Sequence, residues 1–145
     1  MIPTESYNCY EYFKNNTAAF GDYDAAIHFG HRIKRSALLS DIDRLAAYFK
    51  SAGLRRGDVY TVFLPTCVQS FVAFYALNKI GVIANIVHPL MPLAALKENM
   101  KAVGAKGLMY YDATLSSRDV FKDFNGILIE CSVADYMGAL SPFYK

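Results

Sequence analysis

Between Val59 and Ile129 short apolar runs alternate with helical stretches, and this rhythm constrains the fold more than any other feature of the chain. Val59-Tyr60-Thr61-Val62-Phe63-Leu64 is β-branched and aromatic, bounded by Gly57-Asp58 and Pro65. A run apolar at nearly every position, rather than at every second one, suits a strand buried on both faces of a parallel sheet. Val82-Ile83-Ala84-Asn85-Ile86-Val87 repeats the pattern and is ended by His88-Pro89. Leu108-Met109-Tyr110-Tyr111 is a third such run, and Ile127-Leu128-Ile129, after Asn125-Gly126, is a fourth.

The intervening stretches read as helices. Val68 to Lys79 is apolar nearly all round; Lys79 favours the C-terminal dipole and Gly81 stops the helix. Pro92 opens another at its first turn, where its missing N–H is not needed, and Gly104 caps it after Val103. Strands joined by helices of about three turns imply right-handed βαβ crossovers and a parallel sheet with helices on both faces.

Smaller elements precede this unit. Ser6 to Phe20 carries Tyr7, Tyr10, Phe13 and Ala18 at helical spacing and predicts a short amphipathic helix. Ala25 to Phe29 and Arg32 to Lys34 flank Gly30-His31, which predicts a small antiparallel hairpin. Leu38, Leu39, Ile42, Leu45, Ala46 and Phe49 then form one apolar helical stripe, with Ser36 as expected N-cap and Gly53 as C′ residue. Asp112 to Asn125, the most polar stretch, predicts a loop with a partial helix. The expected fold class is α/β. Residues 1–35 form the helix and hairpin, and 36–145 the α/β unit, of a single subdomain.

Composition narrows the function. The 145 residues are 54% hydrophobic and only 19% charged, which excludes disorder and solvated coiled coil. A net charge of +2 excludes a strongly basic nucleic-acid binder. Cys9, Cys67 and Cys131 are odd in number and widely spaced, so neither a disulfide framework nor a zinc site is supported. With no apolar run at the N-terminus, reduced thiols point to a cytoplasmic protein. Val59 to Asn78 is uncharged over nearly a membrane span, but Pro65, Thr66, Gln69 and Ser70 make it strand, turn and helix rather than a transmembrane segment.

Few motifs in the chain carry chemistry. GxGxxG and GxxxxGK[ST] are absent, and Gly104-Ala105-Lys106-Gly107 follows a helix, the reverse of a phosphate loop. Ser116-Ser117 has no neighbouring His and no GxSxG elbow. Cys67 sits where a helix N-terminus can activate a thiol, although a small core residue at a tight turn explains it more simply. His88 and Asn85 lie at the carboxyl end of a strand, where open α/β sheets face ligands; the alternative is that His88-Pro89 simply closes the strand. His28 and His31 flank the hairpin turn and are expected to be exposed. His31, Arg32, Lys34 and Arg35 read as a solvated basic face before they read as a phosphate site.

The order of segments is more specific than any one of them. Ala26-Ile27-His28-Phe29, Ile42-Asp43-Arg44-Leu45-Ala46 and Gly53-Leu54-Arg55-Arg56-Gly57-Asp58 come first. Val62-Phe63-Leu64-Pro65, Phe71 to Gly81, His88-Pro89-Leu90 and Gly104 to Leu108 follow. From Tyr7 to Cys131 this series resembles the opening of the AMP-forming acyl-CoA synthetases, of the adenylate-forming superfamily. The family often has Asn, a small residue, Pro and Glu after Leu64-Pro65; here stand Thr66, Cys67, Val68 and Gln69.

The resemblance implies an enzyme that activates a carboxylate on ATP with Mg2+, giving an acyl-adenylate, and passes the acyl group to coenzyme A. A fatty acid is the expected substrate, the resemblance being to the long-chain fatty acid–CoA ligases, and the sequence does not give the chain length. The family's Thr/Ser-rich loop, acidic adenylate motif, ribose-binding Asp and C-terminal Lys have no counterpart before Lys145. The chain is therefore expected to be an inactive N-terminal fragment without catalytic, cofactor-binding or metal-binding residues. Its expected partner is the remainder of its polypeptide, and a cut apolar face predicts self-association. An amino-acid or aryl-acid adenylating enzyme, or a non-catalytic α/β interaction module, fits the same pattern.

Overall fold

Alternate residues of the central strand face opposite layers, and that single fact organises the molecule. The computed structural model describes residues 8–113 and 121–138. Helix α1 (Cys9–Thr17), a 3-10 turn, the hairpin β1 (Asp24–His28) and β2 (His31–Lys34), and helix α2 (Arg35–Ser51) come first. Then β3 (Val59–Phe63), α3 (Val68–Ile80), β4 (Ile83–Ile86), α4 (Leu93–Ala102), β5 (Ala105–Tyr111) and β6 (Ile127–Cys131) follow. The last four strands form one parallel sheet in the order β4-β3-β5-β6.

Tyr60, Val62 and Leu64 pack with Leu38, Ile42, Phe49, Val72, Ala76 and Leu77 of α2 and α3. Phe63 packs the other way, with Leu96 and Met100 of α4. The chain steps from β3 to β4 through α3, then back across β3 to β5 through α4. Crossovers of one hand that run in opposite directions must lie on opposite faces, so the two helices cover the sheet from both sides.

The sheet centre is closely packed. A Cβ on Gly107 would lie 2.2 Å from the Tyr60 ring and 2.4 Å from the Ile127 carbonyl oxygen, so β5 passes its neighbours only because this residue has no side chain. The Tyr60 hydroxyl is buried with no hydrogen-bond partner among the described residues.

Several sequence expectations need correction. Ser36 does not cap α2, which begins one residue earlier at Arg35 with Lys34 as its uncapping N-cap residue. Asp22 takes over from the preceding loop: the Ser36 N–H and hydroxyl donate to its two carboxylate oxygens at 2.7 and 2.9 Å. Those bonds, the backbone one foremost, hold the Asp22 carboxyl below its ordinary pKa. Pro92 is the N-cap of α4 rather than its first helical residue. The hairpin turn needs a left-handed backbone at Phe29 as well as Gly30, with φ of 47° and 80°. Strand β4 is not covered on both faces: Ile83 is 55% and Ile86 61% exposed, because β4 is the last strand on its side of the sheet. The partial helix expected within Asp112–Asn125, and Ser116-Ser117 with it, falls largely outside the described residues.

Candidate functional site

Strands β3 and β5 are neighbours, yet after β3 the chain moves to one side and after β5 to the other. In open α/β sheets the loops diverge at such a point and leave a crevice at the carboxyl ends of the strands, the usual place for a ligand. Here that crevice has a volume of about 510 Å3 and is walled by Phe63, Pro65, Pro89, Leu90, Met91 and Tyr111. A second hollow of about 610 Å3 opens beside it between the hairpin, α3 and β3. Ala26, Ile27, Leu64, Phe71, Phe74 and Ile86 line this groove. The crevice is apolar, the groove is largely so with His28, Thr66, Cys67 and Ser70 among its walls, and Leu90 at the crevice rim is 83% exposed.

The polar groups at these strand ends are tied into structure. Cys67 is the half-buried N-cap of α3: its Sγ accepts the Ser70 N–H at 3.4 Å, and the Ser70 hydroxyl accepts the Cys67 N–H at 3.1 Å. A thiol thus fills the place of the usual capping hydroxyl. Gln69, buried at the same helix start, donates to the Ser132 carbonyl at 2.8 Å and accepts from the Tyr111 hydroxyl at 3.2 Å. Burial holds the Tyr111 hydroxyl above its ordinary pKa. Cys131 ends β6, and burial, then the charge of Asp135, pushes its thiol up to about 12. Such a thiol stays protonated at neutral pH and is a poor nucleophile.

Asn85 and His88 do not come together as a site. The Asn85 side chain donates to the Thr61 hydroxyl at 3.1 Å and to Asn99 at 2.7 Å, stitching β3, β4 and α4 beneath the strand ends. His88 is exposed, and its Nδ1 accepts the Leu90 N–H at 3.2 Å, which shapes the turn after β4. His28 is half-buried rather than exposed, with Nε2 3.1 Å from the Val133 carbonyl, because the hairpin packs on the turn that follows β6. His31 is exposed. The basic face of the hairpin is internally paired: Arg32 and Lys34 both hold Asp24 at 2.8 Å, and Arg35 donates to Thr17 and to the Lys14 carbonyl. Hydrogen bonds from Lys34 and Arg32 hold the Asp24 carboxyl below its ordinary pKa.

Away from the strand ends, one polar tie joins three helices. Lys79 of α3 holds Asp43 of α2 at 2.6 Å, and the Tyr10 hydroxyl of α1 donates to the same carboxylate at 2.7 Å. The Lys79 ammonium also lies 4.6 Å from the centre of the Tyr10 ring, within cation–π range. Burial acts to raise the Asp43 pKa, but hydrogen bonds from Lys79 and Tyr10 outweigh it and keep the carboxyl below its ordinary value. Burial acts to lower the Lys79 pKa, and hydrogen bonds to Asp43 and Tyr10 outweigh that and raise it. Burial keeps the Tyr10 hydroxyl above its ordinary pKa.

Among the described residues no three His, Cys, Asp or Glu side chains cluster to hold a metal ion. No helix among them is long and apolar enough to cross a membrane. The tie that Gln69 makes at the start of α3, and the close approach of β5 to Tyr60 that Gly107 permits, were not legible in the sequence. A polar residue in a helix start and a glycine at a strand's beginning are unremarkable until their neighbours are known.

A parallel sheet with helices on both faces and an apolar crevice at its switch point places the chain among the open α/β folds. The family described as AMP-binding enzyme matches residues 13–135, and the chain belongs to that family. It is 26% identical over 133 residues to a long-chain-fatty-acid–CoA ligase of Bacillus subtilis, covering 90% of this chain and 23% of that protein. It is 32% identical over 111 residues to an acetyl-coenzyme A synthetase of Coprinopsis cinerea, covering 74% of this chain and 17% of that protein. The fold is shared with a benzoate CoA ligase from Burkholderia xenovorans at a TM-score of 0.79 and 16% identity, over 86% of this chain and 26% of that one. It is shared with the N-terminal subdomain of Klebsiella oxytoca NpsA, in complex with 3-hydroxybenzoyl-AMSN, at a TM-score of 0.70 and 21% identity, over 85% of this chain and 30% of that one. The chain thus spans between a sixth and a third of the length of these relatives.

Proposed function

We propose that the chain is the N-terminal subdomain, residues 1–145, of an AMP-forming acyl-CoA synthetase whose carboxylate substrate is a long-chain fatty acid. The observation that carries this reading is the family match over residues 13–135, joined to a largely apolar crevice and groove at the strand ends. The whole enzyme would require ATP, Mg2+ and coenzyme A. Charge that develops on phosphate oxygens calls for cations and oriented N–H donors. The crevice walls are Phe, Pro, Leu, Met, Tyr and Ala, which do not fit that task, so no step of phosphoryl chemistry is assigned to them.

In this reading the chain is a scaffold. Its parallel sheet sets the positions of strand ends, and its apolar mouth receives the rest of a cytoplasmic polypeptide. Alone it is inactive, supplies no catalytic residue, and self-associates through the uncovered apolar surface. Isothermal calorimetry of the 145-residue chain with Mg-ATP is expected to show no binding; micromolar affinity would overturn the scaffold reading. ATP–pyrophosphate exchange by the product of the complete reading frame, against palmitate, benzoate and amino acids, tests the substrate. Palmitate-dependent exchange is expected. Exchange with benzoate or an amino acid alone would favour an aryl-acid or amino-acid adenylating parent, a reading to which the named substrates of the structural neighbours lend weight.

A further inference from the structure

At the opposite end of the sheet, by the amino ends of the strands, four elements enclose a groove of about 500 Å3. Asn8 comes from the start of α1, Lys50 from the last turn of α2, Arg56 from the loop before β3, and Asn78 and Lys79 from the end of α3. The apolar floor includes Phe74, Ile80 and Ile83.

The hydrogen-bond inventory of these walls is one-sided. The Asn8 Oδ1 accepts the Glu11 N–H at 2.8 Å, and the Asn78 Oδ1 accepts the Tyr10 N–H at 2.9 Å. With both carbonyl oxygens occupied by backbone donors, each amide is oriented and each NH2 group is left to donate. Three of the carbonyls at this helix end are occupied: the Gly81 and Val82 N–H groups donate to Asn78 and Leu77, and the Gly57 N–H donates to Gly81. Lys79 is committed to Asp43. Lys50 and Arg56 have no acidic partner within salt-bridge distance among the described residues. The Arg56 stem is held in place over the left-handed Gly81, where a Cβ would come within 2.9 Å of its Cγ. Among the described residues the Asn8 and Asn78 oxygens already accept backbone N–H groups, Lys50 and Arg56 have no carboxylate partner, and no carboxylate lines the groove.

A hollow with donors on its walls and aliphatic carbons on its floor matches an acceptor-rich anion carried on an apolar group. We propose that this groove is a binding site for a small amphiphilic oxyanion of the alkyl-phosphate type, separate from the crevice at the carboxyl ends. The phosphate oxygens accept from Arg56, Lys50 and the two amides, and the alkyl group covers Ile83. Arg56 supplies the paired N–H geometry that a tetrahedral anion accepts.

The test is calorimetric titration of the 145-residue chain with octyl phosphate at low ionic strength, alongside inorganic phosphate and octanol. Saturable binding of octyl phosphate is expected, at least tenfold tighter than inorganic phosphate, with no saturable binding of octanol. Affinity should fall as salt rises, because exposed charges are screened. The double variant Lys50→Gln, Arg56→Gln should weaken octyl phosphate binding tenfold or more, while Lys122→Gln, a charge change outside the groove, should leave it unchanged. Both changed side chains are exposed, so folding is retained, as an unaltered circular dichroism spectrum would show. Absence of saturable binding by the parent chain, equal binding by the double variant, or equal weakening by Lys122→Gln would each overturn the proposal. None of these results bears on ATP or acyl activation, so this site and the scaffold reading stand or fall separately.

Discussion

Strands β3 and β4 are hydrogen-bonded neighbours, and both are β-branched and apolar in sequence, yet they live in different surroundings. Every residue of β3 from Tyr60 to Phe63 is buried, whereas β4 leaves Ile83 and Ile86 more than half exposed. Sequence pattern reports what a strand would tolerate; position in the sheet decides what it receives. β3 has β4 on one side, β5 on the other and helices on both faces. β4 has a strand on one side only. An edge of this kind carries no Lys, Pro or bulge to discourage pairing, which is how protein chains usually protect an edge left in water. Its chemistry is that of a surface meant to be covered, in keeping with a subdomain of a larger enzyme.

The contrast can be broken by experiment, and the largest effect belongs beside β3. Phe49 is fully buried, with its ring centre 4.8 Å from that of Tyr60. Phe49→Ala should cost about 3–5 kcal/mol in urea unfolding through lost burial and an unfilled cavity. Gly107→Ala should cost about 1–3 kcal/mol or more, since its new carbon meets the Tyr60 ring and a backbone carbonyl. A cost below about 0.5 kcal/mol for either change, the size expected at a surface, would erase the distinction between centre and edge.

Tyr60→Phe carries the opposite sign. It removes a buried hydroxyl that has no partner and keeps the ring, so stability should rise by about 1 kcal/mol. A fall in stability would show that the hydroxyl has a partner in solution.

Asp43→Asn probes the tie outside the sheet and should cost less than about 1 kcal/mol, because the pair is partly exposed and solvent screens it. Its pH dependence follows from the two shifted groups. The folded pKa of Asp43 is lowered, so its contribution is complete above the ordinary carboxylate value and lost as pH falls through the folded one. The folded pKa of Lys79 is raised, so its contribution is complete below the ordinary ammonium value and lost as pH rises through the folded one. Unfolding midpoints of the variant and parent should therefore converge in acid and again in strong alkali. A gap independent of pH would assign the effect to packing.

The smallest effect belongs to the edge. Ile83→Thr with Ile86→Thr should change stability by no more than about 0.5 kcal/mol. The same pair should lower hydrophobic-dye binding and self-association, because it removes exposed apolar surface. A loss comparable to Phe49→Ala would mean that β4 is covered in solution.

Much of the scaffold was legible because local chemistry governs it. Gly53, Gly81 and Gly104 each follow a helix end with positive φ, as a left-handed cap requires. The strand and helix order emerged from periodicity, and the family from the order of segments. The candidate site was not legible in the same way. Ser36 looked like a cap, but Asp22 performs that task from another loop. Asn85 looked like a ligand-facing residue, but Thr61 and Asn99 occupy its side chain. Those outcomes depend on contacts between residues far apart in the chain.

Element type and order follow from forces that act over a few residues: side-chain spacing, helix capping and turn chemistry. By itself the sequence determined those, together with the excess of apolar residues that a parallel sheet absorbs. The tertiary structure alone decided which apolar strand became the centre and which the edge, which glycine had to lack a side chain, and which polar groups were already spent. It also brought Asn8, Lys50, Arg56 and Asn78 to one groove, since the parallel crossovers return every strand's amino end to the same side of the sheet.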